Sequence, residues 1–246
     1  MTTPVTLGDI RALAFDVFGT VVDFRSTIID EGREIEARTG VRLDWAELAD
    51  RWRGRYVPSM DRVRSGELPW TVLDDLHRAA LDDVLAELGG EALSEAERDA
   101  FNLVWHRLRP WPDAVPGLTA LRRDYTLVTL SNGNVALLVD MARNAGLPWD
   151  CVMSAEWVRA YKPDPRTYRM VPELLRLRPE QVMMVAAHVN DLHAAAAQGL
   201  RTAFVPRPRE HGPATGLPGA EELAGIDVVA EDLEDLAVRL TRPERA

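Results

Sequence analysis

Three short apolar segments of this 246-residue chain are each followed by polar residues, and this arrangement restricts the fold more than any other feature of the sequence. The segments cover residues 10–15, 126–130 and 182–185. Continuous apolar runs of this length are typical of parallel strands that are covered on both faces. Because ligand sites in open α/β sheets lie beyond the carboxyl ends of the strands, the polar residues that follow are candidates for one shared site.

The first segment leads directly into Asp16, and Gly19 and Thr20 follow within four residues. Gly19 allows the backbone to turn sharply, because a residue without a Cβ atom adopts positive φ readily. The pattern predicts a nucleophilic carboxylate at the tip of a strand. On this segment alone, an Asp that only caps a turn is the alternative interpretation.

Further polar residues follow the other two segments. Ser131-Asn132-Gly133 comes after the second, Lys162-Pro163-Asp164 supplies a cation, and Asp191 lies beyond the third. Taken singly, these are ordinary turn, surface and helix-capping residues. Their order after Asp16 resembles the haloacid dehalogenase superfamily over residues 10 to about 229. The resemblance implies a doubly wound, Rossmann-like parallel α/β sheet with an inserted α-helical cap.

The residue two positions after Asp16 distinguishes two reactions within that superfamily. Phosphatases place a second Asp there to protonate the leaving alkoxide, whereas this chain has Phe18. L-2-haloacid dehalogenases carry an aromatic residue at this point, since a departing halide needs no general acid. The resemblance therefore favours carbon–halogen substitution, without a metal or other cofactor, over phosphoryl transfer.

Composition limits the partners. The net charge of −10 argues against nucleic acid, because a phosphate backbone needs a basic face. No apolar run approaches the roughly 20 residues of a membrane span, and the N-terminus lacks a signal pattern, so we expect a cytoplasmic protein. The single Cys151 excludes an internal disulfide. Family resemblance, rather than composition, implies a possible homodimer.

The sequence predicts that the chain forms two domains. Residues 26–108 are charged, rich in Leu and Ala and punctuated by glycines, which predicts four or five amphipathic helices. We therefore assign residues 25–109 to the helical cap and residues 1–24 with 110–246 to the catalytic core. Residues 207–219 are rich in Pro and Gly, which predicts an exposed loop.

The resemblance extends to a substrate-binding arginine in the cap. In haloacid dehalogenases an arginine on a cap helix, preceded in some members by a tryptophan, binds the substrate carboxylate, and Trp52-Arg53 matches that pattern. A guanidinium suits this role, since its planar fork donates two parallel hydrogen bonds to a carboxylate. Arg51 and Arg55 lie nearby, and a solvated position is the alternative for all three.

Lys162 and Tyr168 match the family in identity and spacing. A lysine beside the nucleophile keeps Asp16 ionised and neutralises charge in the transition state. We expect Tyr168 to orient that lysine or the substrate, although a half-buried core tyrosine is the alternative.

The last motif departs from the pattern of better-known members. Asp191 matches, but their serine is Ala186, their asparagine is His188 and their tryptophan is Asn190. His188 could position the hydrolytic water or act as a base with Asp191, because imidazole titrates near neutral pH. A structural histidine is the other interpretation. These departures affect the choice of substrate more than the class of reaction.

Together these residues predict two-step covalent catalysis on a small 2-haloacid. Asp16 attacks the α-carbon, while Arg53 holds the substrate carboxylate and Asn132 helps to hold the halide. Ser131, Asn132 and the Thr20 turn are expected to fix Asp16 in line, with Phe18 in the substrate pocket. Water activated by Asp191 then hydrolyses the aspartyl ester. A magnesium-dependent phosphatase and a binding protein without turnover are the competing interpretations.

Overall fold

The computed structural model describes residues 7–213 and 216–241. Its main sheet has five parallel strands in the order β4-β1-β5-β6-β7. The strands are β1 (Ala12–Phe15), β4 (Thr126–Thr129), β5 (Val182–Ala186), β6 (Arg201–Phe204) and β7 (Val228–Val229). A short antiparallel pair is formed by β2 (Val22–Asp23) and β3 (Arg109–Pro110). The predicted α/β class and parallel sheet are confirmed.

The apolar strand sequences are explained by burial on both faces of the sheet. Along β1, Leu13 and Phe15 belong to one buried hydrophobic cluster, whereas Ala12 and Ala14 belong to a second. Successive side chains of a strand point to opposite faces, so every residue of β1 is buried. All three predicted strands are present, with boundaries within two residues of those expected.

Five α-helices separate β2 from β3. They are α1 (Phe24–Thr39), α2 (Trp45–Gly54), α3 (Tyr56–Arg64), α4 (Leu73–Leu88) and α5 (Glu95–Asn102), followed by a 3₁₀ helix over Leu103–Arg107. Their apolar faces pack on one another, with contacts between α1 and α2, α2 and α4, and α4 and α5. The predicted helical stretch is present; its treatment as a separate domain over residues 25–109 stays a prediction.

The remaining helices cover the sheet. They are α6 (Ala114–Leu121), α7 (Val135–Ala145), α8 (Pro165–Leu175), α9 (Val189–Ala196) and α10 (Leu233–Leu240). Helices α6 and α10 pack together, and α9 packs on β5 and β6. Within residues 7–213 and 216–241, no helix has the length and apolar character needed to cross a membrane.

Candidate active site

The predicted site residues meet at the carboxyl edge of the sheet. Asp16 directly follows β1, Asn132 lies just after β4, and Asp191 lies in the first turn of α9, after β5. Strand β1 pairs in parallel with both β4 and β5, so the three strand ends lie side by side. The register of the sheet therefore brings together residues that are far apart in the sequence.

Three side chains in the described part of the chain contact the Asp16 carboxylate. Thr20 Oγ1 donates to Oδ2 at 2.7 Å, His188 Nδ1 lies 3.2 Å from Oδ2, and Lys162 Nζ donates to Oδ1 at 3.0 Å. The backbone N–H of Ala187 donates to Thr20 Oγ1, which leaves the hydroxyl proton directed at Asp16. The carboxylate is thus held in one orientation by groups from three separate segments.

Asp16 is buried and still ionised. Burial by itself raises the pKa of Asp16, but the charge of Lys162 and the hydrogen bond and charge of His188, with the Thr20 hydroxyl, more than offset it. The resulting pKa of Asp16 lies well below its usual range. The carboxylate therefore carries its negative charge at neutral pH, as a nucleophile requires.

Lys162 bridges two carboxylates. Its ammonium lies 3.0 Å from Asp16 Oδ1 and 2.6 Å from Asp191 Oδ2, and the Tyr168 hydroxyl donates to Asp191 Oδ1 at 2.6 Å. Burial lowers the pKa of Lys162, but the two carboxylates outweigh it and leave the pKa above its usual range. Tyr168 and Lys162 therefore both orient Asp191, each by a hydrogen bond to a different oxygen of its carboxylate.

Arg53 projects from α2 into an aromatic environment. Its guanidinium lies 4.1 Å from the ring centre of Tyr56 and 4.8 Å from that of Phe24, and its Nη2 is 3.8 Å from Glu210. Nη1 has no hydrogen-bond partner among the described residues although it is buried. A guanidinium whose Nη1 is a buried, unpaired donor is suited to an anionic ligand. The preceding Trp52 is fully buried in the cap.

Asn132 and Phe18 complete the wall next to Asp16. The backbone N–H of Lys162 donates to Asn132 Oδ1 at 2.8 Å, which orients the amide so that Nδ2 faces the Tyr56 hydroxyl at 3.2 Å. Phe18 packs edge-on against Tyr56 and Trp105. The Phe18 side chain is therefore part of an aromatic cluster and cannot donate a proton to a leaving group.

Ser131 is the second residue after β4 and stabilises the turn that carries Asn132. Its buried hydroxyl accepts a hydrogen bond from Gly133 N at 3.1 Å, and within the described residues no hydrogen bond joins it to Asp16. This geometry assigns Ser131 to the turn that carries Asn132, because it stabilises the backbone there.

A cavity of ≈ 740 Å³ opens between the cap helices and the sheet edge. Eight of the predicted site residues line it: Asp16, Phe18, Arg53, Asn132, Lys162, Tyr168, His188 and Asp191. Tyr56 of α3 also lines it. Arg64 of α3 and Glu210 line it as well. Since both the cap and the core contribute, the cavity can hold a small anion against the nucleophile.

His188 contacts different groups from those expected. Its Nδ1 faces Asp16, and its Nε2 lies 2.9 and 3.0 Å from the two carboxylate oxygens of Glu210. Burial lowers the pKa of His188, but hydrogen bonds and charges of Asp16 and Glu210 raise it to about 10. The ring is therefore an imidazolium at neutral pH, and the structure places it on Asp16 rather than on Asp191.

The prediction that residues 207–219 form an exposed loop is wrong at Glu210, which is only 6% exposed. Hydrogen bonds of Arg207 fix this segment against the rest of the protein. Its guanidinium donates two hydrogen bonds of 2.8 Å to Asp113, and its Nε donates to Thr20 O. Composition indicated an irregular segment but contained no signal for this long-range ion pair. Glu210 and Tyr56 are thus site residues that sequence reasoning missed.

Comparison with known proteins agrees with this geometry. The family model for haloacid dehalogenase-like hydrolases matches residues 10–199. The chain belongs to the haloacid dehalogenase-like hydrolases. Within this family it is 29% identical to (S)-2-haloacid dehalogenase 1 of Pseudomonas sp. (strain CBS-3), over 95% of this chain and 99% of the relative.

Solved structures of similar hydrolases include the L-2-haloacid dehalogenase PA0810. It is 49% identical, with a TM-score of 0.89 over 94% of this chain and 98% of that one. The defluorinating L-2-haloacid dehalogenase Rha0230 is 46% identical, with a TM-score of 0.88 over 94% and 95% of the two chains.

A third structure shows a covalent complex. The L-2-haloacid dehalogenase of Xanthobacter autotrophicus, with chloropropionic acid covalently bound, is 26% identical, with a TM-score of 0.77 over 96% of this chain and all of that one. A phosphatase relative is more distant: phosphoglycolate phosphatase of Neisseria gonorrhoeae is 24% identical over 77% of each chain. Both the family and the nearer relatives are in keeping with the predicted dehalogenase.

Proposed function

We propose that the protein hydrolyses 2-haloalkanoic acids to 2-hydroxyacids and halide through an ester on Asp16. One observation carries the proposal: a buried, ionised carboxylate stands at the cavity floor beside Lys162, with Phe18 at the position of a phosphatase acid. The names of the relatives support the substrate class.

In the first step an Asp16 oxygen attacks the α-carbon and displaces the halide, which leaves with the electron pair of the carbon–halogen bond. Arg53 binds the substrate carboxylate, for which its unpaired buried Nη1 is available. Asn132 Nδ2 faces the same cavity and helps to hold the departing halide. Such positioning lowers the barrier, because the reacting atoms are already in line.

In the second step water attacks the carbonyl carbon of the ester. Asp191 accepts a proton from this water, and Lys162 and Tyr168 hold Asp191 in place. The bond between Cγ and the ester oxygen breaks, and this oxygen, which came from Asp16, takes the proton from Asp191 and leaves as the hydroxyl of the 2-hydroxyacid. Asp16 returns to its carboxylate form with one oxygen from water.

We further propose that the reaction needs no metal or cofactor. We also propose that the protein is cytoplasmic and forms a homodimer. The ammonium of Lys162 bridges the carboxylates of Asp16 and Asp191, and the reaction has no phosphate for a metal to bind. A single cysteine fits a reducing compartment. Family resemblance supports the dimer.

The decisive test is halide release from fluoro-, chloro- and bromoacetate and from both enantiomers of 2-chloropropionate, with and without excess EDTA. We expect release of halide that the chelator leaves unchanged. Faster turnover of aryl phosphates that disappears with chelator and returns with magnesium would instead establish a phosphatase. The matched control is Asp16→Asn, which removes the nucleophile and should release no halide.

A further inference from the structure

Glu210 is a buried carboxylate that the two-step reaction does not use. Both of its oxygens lie within 3.0 Å of His188 Nε2, while Arg53 Nη2 and His211 Nε2 each lie 3.8 Å from Oε1. It also covers Gly19, where a Cβ atom would overlap with the Glu210 carboxylate. Gly19 therefore leaves room for the Glu210 side chain, which lies beside His188 and Arg53.

The groups around His188 define its charge in the free enzyme. Asp16 faces Nδ1 from the end of β1, and Glu210 faces Nε2 from its loop. Lys162 and Arg53 do not contact the ring; each contacts one of those carboxylates. With an anion on each side, both ring nitrogens carry protons and both donate.

Esterification changes one of these two partners. Oδ2 of Asp16 is the oxygen that accepts from both Thr20 and His188, whereas among the described side chains Oδ1 accepts only from Lys162. The oxygen with two donors is better suited to become the carbonyl oxygen of the ester, since donors that face it stabilise negative charge there. Once Asp16 is an ester it is neutral, and Glu210 is the remaining carboxylate in contact with His188.

We propose that Glu210 is a positioning residue that keeps His188 an imidazolium in the ester intermediate, so that Nδ1–H donates to the oxyanion on Asp16 Oδ2. This inference rests on the proposed function. It gives His188 the role of an oxyanion donor, in place of the water-activating base that the sequence suggested.

The chemical step balances with this assignment. Water adds to Cγ of Asp16, its proton passes to Asp191, and the carbonyl electron pair moves onto Oδ2, where His188 and Thr20 donate. The pair then returns, the bond between Cγ and the ester oxygen, formerly Oδ1 of Asp16, breaks, and that oxygen takes the proton from Asp191. The new carboxylic acid loses its proton to solvent, and His188 stays protonated throughout.

The first test is a ¹⁵N NMR titration of the histidine rings, which needs no substrate. In the wild-type protein the His188 ring, assigned by its loss in His188→Asn, should stay doubly protonated at pH 8. In Glu210→Gln it should lose a proton at least one pH unit lower than in the wild type. Glu210→Asp should restore part of the shift, and Glu221→Gln, on an exposed residue nearby, should leave it unchanged.

The second test separates the two chemical steps with 2-chloropropionate. Glu210→Gln should keep the initial burst of about one chloride per site but hydrolyse the ester about 10²-fold more slowly at pH 8, so that intact-protein mass spectrometry shows the adduct. At pH 5.5 the difference should shrink, because a His188 without Glu210 becomes protonated again.

Each outcome of these two tests either supports or overturns the inference about Glu210. Ester hydrolysis in Glu210→Gln that speeds up as His188 loses its proton would show that His188 is a base and overturn the inference. The inference would also be overturned if His188 titrated identically in Glu210→Gln and in the wild type, or if Glu210→Gln slowed both chemical steps equally at every pH. If wild type releases no halide from any haloacid, the proposed function fails, and the NMR titration still decides whether Glu210 keeps His188 charged.

Discussion

Lys162 and Asp16 lie 146 residues apart in the sequence, and their side chains meet at 3.0 Å inside the protein. Both groups are buried, and each keeps the other charged: the pKa of Asp16 lies below its usual range and that of Lys162 above it. The contact depends on parallel pairing of β1 with its neighbours and on the loop that precedes α8.

Replacing Lys162 with Met should remove the strongest charge partner of Asp16. The pKa of Asp16 should rise toward or above its ordinary range, because the burial that opposes ionisation remains. We expect the rate of halide release to fall at least about 10²-fold at pH 7 and to acquire an acid limb. Single-turnover halide release between pH 5 and 9 measures this; a profile that stays flat, like that of the wild type, contradicts it.

Arg53→Lys should raise KM and lower kcat together. A point charge cannot reproduce the two parallel hydrogen bonds of a guanidinium, and it also loses the stacking over Tyr56. We expect kcat/KM to drop about 10²-fold, with little change in the free energy of unfolding. Arg55→Lys, on an exposed arginine paired with Glu87, is the matched control. Kinetics equal to wild type for Arg53→Lys would mean that the carboxylate binds elsewhere.

Asp191→Asn should separate the two steps. The variant keeps the nucleophile but loses the proton acceptor, so it should release about one halide per site in a burst and then stop as the ester accumulates. Mass spectrometry should place the adduct on the peptide that contains Asp16. In wild type, one turnover in ¹⁸O-water should label the Asp16 carboxylate; label in the product alone would mean direct attack by water.

The stability of the protein should decrease at alkaline pH because of His188. The pKa of His188 is about 10 in the folded protein, above the ordinary value of 6.5. The stabilisation that the protonated ring gives to the folded state is therefore complete below pH 6.5 and is lost as pH rises through 10. The slope should not exceed about 1.4 kcal/mol per pH unit. Urea unfolding at pH 6, 8 and 9.5 measures it, and the decline should be shallower in His188→Asn; equal slopes would contradict the assignment.

Gly19→Ala should disturb both stability and the site. Gly19 has φ +81°, and an added Cβ atom would overlap with Glu210. Gly89→Ala is the matched control, since Gly89 has φ +76° and open space around it. We expect the control to cost about 1 kcal/mol of unfolding free energy through backbone strain alone, and Gly19→Ala to cost more and to slow ester hydrolysis. Equal effects of the two changes would show that the Glu210 contact is unimportant.

The sequence alone was sufficient for three of the five strands described in the main sheet and for the polar groups that follow them. Apolar runs bounded by turn residues are local signals, so the strands before Asp16, Ser131 and Asp191 could be predicted within two residues. Because parallel strands end at one edge, the meeting of Asp16, Lys162 and Asp191 followed from that topology together with the family resemblance.

Only the tertiary structure decided which side chains contact one another at the site. Ser131 and His188 were both predicted to act at the site, and the sequence could not specify their partners. Ser131 accepts a hydrogen bond from Gly133 N, and His188 lines the cavity in contact with Asp16 and Glu210. Glu210 itself lies in a segment whose composition predicts exposure, and it is buried because Arg207 pairs with Asp113, 94 residues earlier in the chain. Hydrogen-bond partners and side-chain charge depend on such long-range packing, which leaves no periodic pattern in the sequence.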